Sequence, residues 1–324
     1  MARTCKTVAA IDLGSQTFRL AIAGIRSDDI RILASELYNV RLAEGLSDTS
    51  LFSDHAIRNG IKTLRHFRRI MDRWNVTAFS ICGTAAFRKA SNASCFLDLA
   101  EKTGLPVNIL SPEEEAALAA KGVRATLPPT DTQYLVADIG GGSSEFILAD
   151  MDRILYKTSL PAGAVNLTEQ FPFSDPPEEN EIEKLESSIQ QIVEPVCMAL
   201  PGRPGKLIGV GGTATTLAAL ILKMETYDPF QIRGFRISCQ KLDMLWHTLK
   251  SLTVDQRKKL PGLESRRADI IMAGFAIFKK TIEILRFKEL TVSDGGLLLG
   301  LLIDIIEKEF FYHAQLPDTG SLYL

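Results

Sequence analysis

The feature that most constrains this chain is a pair of similar strand–turn–strand segments, one at residues 8–22 and one at 135–148. In both, a short apolar run leads to an Asp, a turn of Gly with Ser or Thr follows, and a second apolar run leaves. Such a turn points backbone N–H groups and hydroxyls into one concavity, which is a usual way to hold phosphate. One such turn is common in β-hairpins and is weak evidence by itself. The presence of two copies favours a phosphate-binding function over a purely structural one.

Three glycine turns supply the candidate binding residues. Triple glycine in the second copy is hard to explain by packing, because glycine weakens a strand. Gly211-Gly212-Thr213 follows an apolar run at 206–210 and opens a helix, which makes it a natural anion site, although a tight strand-to-helix connection explains it as well. The candidate phosphate-binding residues are Asp12, Gly14, Ser15, Gly140, Gly141, Gly142, Ser143, Gly211, Gly212 and Thr213.

Carboxylates in the paired turns are candidate ligands for Mg²⁺, which prefers hard oxygen donors and neutralises phosphate charge. Asp138 and Glu145 flank the triple glycine and could hold the ion directly or through water. The four histidines and five cysteines are scattered, so we expect no metal site built from His or Cys.

Glu115 and Arg88 are the candidate catalytic residues. Ser111-Pro112-Glu113-Glu114-Glu115 is typical of a helix start, with Ser as N-cap, Pro at the first position and acids in the first turn. A carboxylate there can activate water for attack on phosphorus, or it can simply complement the helix dipole, which is the preferred explanation for Glu113 and Glu114. Arg88 follows a small-residue turn, where a guanidinium could contact a phosphoryl group or pair with a neighbouring acid.

The order of predicted elements indicates two similar α/β halves with a cleft between them. We predict an N-terminal domain over 1–127, which a C-terminal helix at about 303–324 could join, and a second domain over 128–302. The Pro-rich segment 127–131 precedes the second hairpin and marks the junction.

Composition favours a cytoplasmic protein without a membrane span or a nucleic-acid partner. The net charge is −2, so a polyanion site has to be local. Asp12 interrupts the first apolar stretch, so we expect no signal peptide. Two basic clusters, Arg58/Lys62/Arg65/Arg69 and 257–267, are either solvated faces or a short track for a polyanion. Because a short track makes few contacts, we expect long polyanions to gain little over short ones.

Together these segments resemble the exopolyphosphatase and guanosine pentaphosphate phosphohydrolase (Ppx/GppA) family, in its short two-domain form. The resemblance is carried by residues 12–15, 84–92, 111–116, 138–145, 209–213, 267–274 and 293–297. It implies two duplicated ribonuclease H-like domains of the actin, sugar kinase and Hsp70 type with an interdomain cleft. Longer members carry a further C-terminal helical region, which we expect to be absent.

The resemblance also implies roles for individual residues. Glu115 matches the family's catalytic base, Arg88 the arginine beside the scissile phosphate, and Asp12 and Arg19 the first phosphate loop. Asp138, Gly140 and Glu145 match the second phosphate and metal loop, with Mg²⁺ as cofactor. Two segments depart from the family pattern: Gln16 replaces the usual Asn, and Leu298-Leu299 replaces the usual Arg-Glu, which we expect to affect a structural ion pair.

The resulting hypothesis is a phosphohydrolase that releases terminal phosphate from inorganic polyphosphate or guanosine pentaphosphate by in-line attack of water. The alternatives are an ATP-dependent small-molecule kinase of the same fold and a non-catalytic polyphosphate or nucleotide sensor. The sequence leaves open which substrate is preferred and whether the chain forms a homodimer.

Overall fold

A computed structural model describes residues 6–26, 29–127, 132–150 and 153–310. The chain divides into two compact units, unit 1 with residues 1–126 and 295–324, and unit 2 with residues 127–294. The second junction therefore lies at 294/295 instead of the predicted 302/303. Most of the Pro-rich junction and residues 311–324 of the predicted last helix lie outside the described residues.

Unit 1 contains a mixed five-stranded sheet of order β3-β2-β1-β4-β5. Its strands are β1 (Lys6–Leu13), β2 (Thr17–Arg26), β3 (Asp29–Asn39), β4 (Ala78–Gly83) and β5 (Asn108–Ile109). Its helices up to residue 126 are α1 (Leu46–Thr49), α2 (Asp54–Arg73), α3 (Ala85–Lys89), α4 (Ala93–Glu101) and α5 (Pro112–Thr126). β1 pairs antiparallel with β2 and parallel with β4, so Asp12 and Gly83 lie at the same edge of the sheet.

Unit 2 contains a six-stranded sheet of order β10-β11-β9-β6-β7-β8. Its strands are β6 (Tyr134–Ile139), β7 (Ser144–Ala149), β8 (Ile154–Leu160), β9 (Lys206–Val210), β10 (Arg236–Ser238) and β11 (Glu289–Val292). Its helices are α6 (Ala164–Gln170), α7 (Glu179–Ala199), α8 (Gly211–Leu222), α9 (Pro229–Ile232), α10 (Cys239–Lys250), α11 (Val254–Arg257) and α12 (Ile271–Leu285), with a 3₁₀ turn at Ser265–Arg267.

The two sheets share one topology. The run β8-β7-β6-β9-β11 in unit 2 repeats β3-β2-β1-β4-β5 in unit 1, with an antiparallel hairpin followed by two parallel strands. Parallel strands need crossover helices, and helices on both faces explain why the central strands are apolar throughout. The chain thus has the α/β fold, duplicated, that the paired hairpins predict.

Alternation along β1 divides the core of unit 1 into two layers. Ala9, Ile11 and Leu13 pack with one apolar cluster, which includes the buried face of α2. Val8 and Ala10 point to the opposite face, where they pack with the final helix α13 (Leu297–Phe310). This alternation is the two-residue period of a strand that is buried on both sides.

Close packing against α5 explains why the final helix belongs to unit 1. A Cβ on Gly122 would collide with the carbonyl of Gly296, and one on Gly300 would collide with the carbonyl of Leu118. The same packing buries Leu298 and Leu299 in the apolar layer beneath β1. At these two positions the chain therefore has apolar packing in place of the charged pair that the resemblance implies.

Within the described residues, no helix is both long enough and apolar enough to cross a membrane.

Candidate functional site

The two glycine turns have the same local geometry. The N–H of Gly14 donates to the carbonyl of Thr17 at 3.0 Å, and the N–H of Gly140 donates to the carbonyl of Ser143 at the same distance. An added Cβ on either glycine would meet the accepting carbonyl, at 3.1 Å and 3.2 Å respectively. Each turn therefore has room for glycine and crowds any larger residue at that position.

Two ion pairs form the charged centre of unit 1. Arg19 donates to Asp12 Oδ2 from Nε at 3.1 Å and from Nη2 at 2.5 Å, across the β1–β2 hairpin where these two residues are register partners. Arg88 Nη1 donates to Glu115 Oε2 at 2.9 Å. Both carboxylate side chains are nearly buried, with 5% of Asp12 and 9% of Glu115 exposed.

Cys82 shows that these two carboxylates lie near one another. Cys82 is the register partner of Asp12 on β4 and is 1% exposed. Burial raises the pKa of the Cys82 thiol well above its usual range, and the negative charges of Asp12 and Glu115 raise it further. Arg88 joins Glu115 to Leu110, whose N–H donates to the carbonyl of Gly83 next to Cys82, so Asp12 and Glu115 lie at one end of the sheet.

Glu115 is fixed by the start of α5. Ser111 and Glu114 form a reciprocal cap, in which Ser111 Oγ accepts from the Glu114 N–H at 3.1 Å and Glu114 Oε2 accepts from the Ser111 N–H at 2.8 Å. Glu113 and Glu114 are exposed, whereas Glu115 is buried. Of the three successive acids, only Glu115 points inward, so the dipole interpretation holds for its two neighbours and does not account for Glu115.

Arg88 joins three segments of unit 1. It lies on the short helix α3, which follows β4, and its Nη1 donates to the carbonyl of Leu110 at 2.7 Å as well as to Glu115. Leu110 follows β5 and its N–H donates to the carbonyl of Gly83 at 3.0 Å. One guanidinium nitrogen therefore sets the position of Glu115 relative to the ends of β4 and β5.

Gln16 places an unsatisfied donor in the first glycine turn. Its carbonyl accepts from the N–H groups of Val40 and Arg41 at 3.0 Å and 2.9 Å, which clamps the turn to the end of β3. The residue is 7% exposed, and its Nε2 is buried with no hydrogen-bond partner among the described residues. Burying a donor without a partner is costly, so this amide suits an oxygen supplied by a ligand.

The triple-glycine turn of unit 2 is held from one side by α6. The carbonyls of Gly140 and Gly141 accept from the N–H groups of Ala164 and Val165 at 2.9 Å and 2.8 Å. The Gly142 carbonyl accepts from Asn166 Nδ2 at 3.1 Å. These contacts use the carbonyls of the turn, so its N–H groups are the candidates for contact with an anion.

Asp138 and Glu145 are register partners on β6 and β7, so their side chains share one face of the sheet. Glu145 is 4% exposed and accepts from Ser159 Oγ at 2.8 Å. No group of three His, Cys, Asp or Glu side chains that could hold a metal ion occurs among the described residues. Two carboxylates suit Mg²⁺, which usually takes one or two from the protein and completes its shell with water and phosphate oxygens.

The third glycine turn lies directly beside Asp138. Gly211 has φ +78°, and a Cβ there would collide with Asp138 Oδ1. Thr213 Oγ1 donates to the carbonyl of Ile139 at 3.1 Å, which ties the start of α8 to the end of β6. The structure therefore assembles the second and third turns at one end of the unit 2 sheet.

Arg267 lies against the third glycine turn, a placement that the sequence does not reveal. Its guanidinium lies over Gly212, where an added Cβ would collide with it, and Nε contacts Glu264 Oε2 at 3.4 Å. The sequence shows Arg267 only within a basic cluster and within one family-like segment. The one sequence feature that points to this contact is glycine at position 212, because a residue without a side chain leaves room for another group beside the backbone.

The basic cluster at 257–267 is not the continuous surface that a polyanion track needs. Arg257 is 1% exposed and its Nε donates to the carbonyl of Leu249 at 2.9 Å, so this residue belongs to the interior of unit 2. Lys258 pairs with Asp255, and Arg266 pairs with Glu264. The track interpretation is wrong for this cluster, because Arg257 is buried and Lys258 and Arg266 are paired with neighbouring acids.

The fold and the charged turns together define an α/β protein of the actin-like two-domain class. A model of the Ppx/GppA phosphatase family matches residues 21–309, and the chain belongs to this family.

Two of the three relatives compared in sequence are named as exopolyphosphatases. The chain is 28% identical over 313 residues to exopolyphosphatase 2 of Mycobacterium tuberculosis, covering 92% of this chain and 98% of that protein. It is 30% identical over 311 residues to a putative exopolyphosphatase of Haemophilus influenzae, covering 94% and 93%. It is also 29% identical to a bifunctional 3-dehydroquinate synthase/phosphatase of Fusobacterium nucleatum, but it spans only 47% of that protein's length.

Solved structures agree on the fold. The Ppx/GppA family member of Aquifex aeolicus superimposes with a TM-score of 0.81 at 32% identity, covering 95% of this chain and 99% of that one. An exopolyphosphatase of Cytophaga hutchinsonii superimposes with a TM-score of 0.88 at 28% identity, covering 94% and 98%.

Proposed function

We propose that this protein is an exopolyphosphatase, a hydrolase that releases terminal orthophosphate from inorganic polyphosphate. The observation that carries the proposal is the nearly buried ion pair of Arg88 and Glu115 at the end of the unit 1 sheet where Asp12 lies. Family membership and relatives named exopolyphosphatase support the same reaction class. Guanosine pentaphosphate, which ends in the same phosphoanhydride linkage, is proposed as a second substrate.

In the proposed reaction, Glu115 acts as the general base. Its carboxylate accepts the proton of a water molecule whose oxygen attacks the terminal phosphorus in line with the bridging oxygen. A new P–O bond forms, the P–O–P linkage breaks on the far side, and the shortened chain leaves with the bridging oxygen. Arg88 holds Glu115 in position and places positive charge next to the transferred group.

Phosphate binding is assigned to the glycine turns, each taken within its own unit. In unit 1 the amide of Gln16 and the hydroxyl of Ser15 are the donors, and Asp12 holds Arg19 in place. In unit 2 the N–H groups of residues 141–143 and the N-terminus of α8 are the donors. Asp138 and Glu145 would hold Mg²⁺, which when bound neutralises phosphate charge.

Phosphate release separates this proposal from its alternatives. Purified protein is incubated with polyphosphates of several lengths, with ATP and with guanosine pentaphosphate, and orthophosphate is measured. An exopolyphosphatase releases phosphate from polyphosphate without an acceptor. A small-molecule kinase transfers phosphate only when an acceptor is present, and a sensor releases none, so either result would refute the proposal.

A further inference from the structure

A stripe of cations runs along the exposed side of α2. Arg58, Lys62, Arg65 and Arg69 are all exposed, and at 100° per residue their positions fall within one narrow band of the helix surface. These four residues are named the α2 track. At 1.5 Å per residue the track is about 16 Å long.

Electrostatics within the helix do not favour this stripe. Among the described residues, the four cations of the α2 track form no ion pair, whereas Arg68 on the same helix pairs with Asp72 at 2.9 Å. Like charges four residues apart on a helix destabilise it by about 0.2–0.5 kcal/mol per pair. The fold therefore gains nothing from the track, and a polyanion would relieve the repulsion.

The far end of the α2 track opens into a basic groove between α2 and α4. The groove has a volume of about 340 Å³ and is lined by Arg65, Arg68, Arg69, Leu99, Lys102 and Thr103. Lys102 adds a further cation without an ion-pair partner among the described residues. Neither acidic nor aromatic side chains line the groove, so it offers charge for phosphate groups and no ring on which a nucleobase could stack.

The path of the chain orients the track relative to Glu115. At the start of α2, Asn92 bonds both the N–H and the carbonyl of Phe52, at 2.8 Å and 2.9 Å, which fixes that end beside the segment that follows Arg88. Just beyond the end of α2, the Thr77 N–H donates to the carbonyl of Thr7 at 2.8 Å, at the opposite edge of the sheet. The track thus leads from the end of the unit 1 sheet where Glu115 lies to the basic groove at the opposite end.

We propose that the α2 track and the basic groove bind the distal part of an inorganic polyphosphate chain whose terminal phosphate is hydrolysed at Glu115. This inference rests on the proposed function. It adds Lys102 to the four cations that the sequence pattern shows. It changes the expectation about chain length, because only a polymer long enough to reach the groove gains these contacts.

The test uses the variant Arg65→Ala/Arg69→Ala/Lys102→Ala, which we name the groove variant. Its hydrolysis of a long-chain polyphosphate is compared with its hydrolysis of tripolyphosphate. We expect KM for the long chain to rise about tenfold at low salt, since exposed ion pairs each add modest affinity. Hydrolysis of tripolyphosphate stays at the wild-type level, because a short substrate does not reach the groove. The difference between the two proteins narrows as salt is added.

A matched control removes three exposed cations of unit 2, Lys157, Lys184 and Lys259, for the same change in net charge. We expect this variant to use both substrates as the wild type does. Thermal unfolding checks the fold, and the groove variant should be at least as stable as the wild type because like-charge repulsion is removed.

Direct binding separates failure of this inference from failure of the proposed function. Long-chain polyphosphate is titrated into wild type, the groove variant, the unit 2 control variant and Glu115→Gln, with single-stranded DNA of equal charge as competitor. Weaker polyphosphate binding by the groove variant alone supports the inference even if hydrolysis is not observed. Equal loss in the control variant, an unchanged long-chain KM, or tighter binding of DNA than of polyphosphate would overturn it.

Discussion

Arg88 and Glu115 lie 27 positions apart in the sequence, and their side chains meet in a hydrogen-bonded ion pair of 2.9 Å at the ends of β4 and β5. The same arginine nitrogen binds the carbonyl of Leu110. This double contact holds a nearly buried carboxylate in one orientation, which is what a group that activates water needs.

Replacement of Arg88 tests this relationship. Arg88→Ala removes the donor shared by Glu115 and Leu110 and, in the proposed reaction, the positive charge beside the transferred phosphoryl group. Turnover should fall by about 10²–10³-fold, the usual effect of removing a donor that stabilises transition-state charge. Phosphate release under saturating polyphosphate measures the effect. The exposed neighbour Lys89 is the control, and a loss of the same size in Lys89→Ala would contradict the assignment.

Gln16 should affect stability and binding in opposite directions. Gln16→Met keeps the length of the side chain and removes the unsatisfied amide, so the free energy of unfolding should rise by about 1 kcal/mol. Affinity for orthophosphate or polyphosphate should fall, because the donor for a phosphate oxygen is gone. Thermal unfolding and calorimetric titration measure the two quantities. Gln16→Asn, which keeps an amide, is the control. If Gln16→Met binds phosphate as tightly as the wild type and the control, the amide is not a ligand.

Asp138 and Glu145 should set the requirement for Mg²⁺. Asp138→Asn and Glu145→Gln each replace a charged oxygen with a neutral one, so a higher metal concentration should be needed for half-maximal activity. Activity is measured over a Mg²⁺ titration. The control is Glu113→Gln, which replaces an exposed carboxylate. A metal dependence equal to that of the wild type in both variants would make these carboxylates structural.

Cys82 makes stability depend on pH in the alkaline range. Burial, with Asp12 and Glu115 nearby, raises the pKa of the Cys82 thiol above its ordinary value of 9.0. The unfolded chain therefore loses this proton at a lower pH than the folded protein, so the stabilisation is complete below pH 9 and is lost as pH rises through the folded pKa.

Chemical denaturation at a series of pH values measures this dependence. Cys82→Ala should show a shallower loss of stability above pH 9 than the wild type. Cys197, whose pKa burial raises to about 11, provides a comparison, because Cys197→Ala should remove a separate part of the slope. An unchanged slope in Cys82→Ala would show that Cys82 does not have a raised pKa in the folded protein.

Local patterns in the sequence predict much of the fold. The strand at 78–83 and the helix from Asp54 were predicted where the structure has them, because alternation and a 3.6-residue apolar period are strong local signals. Ser53 caps α2 by accepting from the Ala56 N–H at 3.1 Å, as its residue type suggests. The duplicated hairpin fixed the class of fold because the same turn chemistry occurs twice.

Tertiary contacts determine the features that the sequence does not reveal. The strands β8 and β10 were not predicted, since half-buried edge strands lack a clean alternation. The junction at 294/295 depends on glycine contacts between α5 and α13, which are far apart in sequence. Similarly, the burial of Arg257 and the unpartnered amide of Gln16 depend on what surrounds each side chain.

Glu115→Gln tests the central claim most directly. The amide keeps the shape of the side chain and a hydrogen-bonding oxygen for Arg88 but cannot take a proton from water. Orthophosphate release from polyphosphate should fall by about 10²–10⁴-fold, the usual contribution of a positioned base, while polyphosphate binding and thermal stability are retained. Near-wild-type turnover in a folded Glu115→Gln protein would contradict the account.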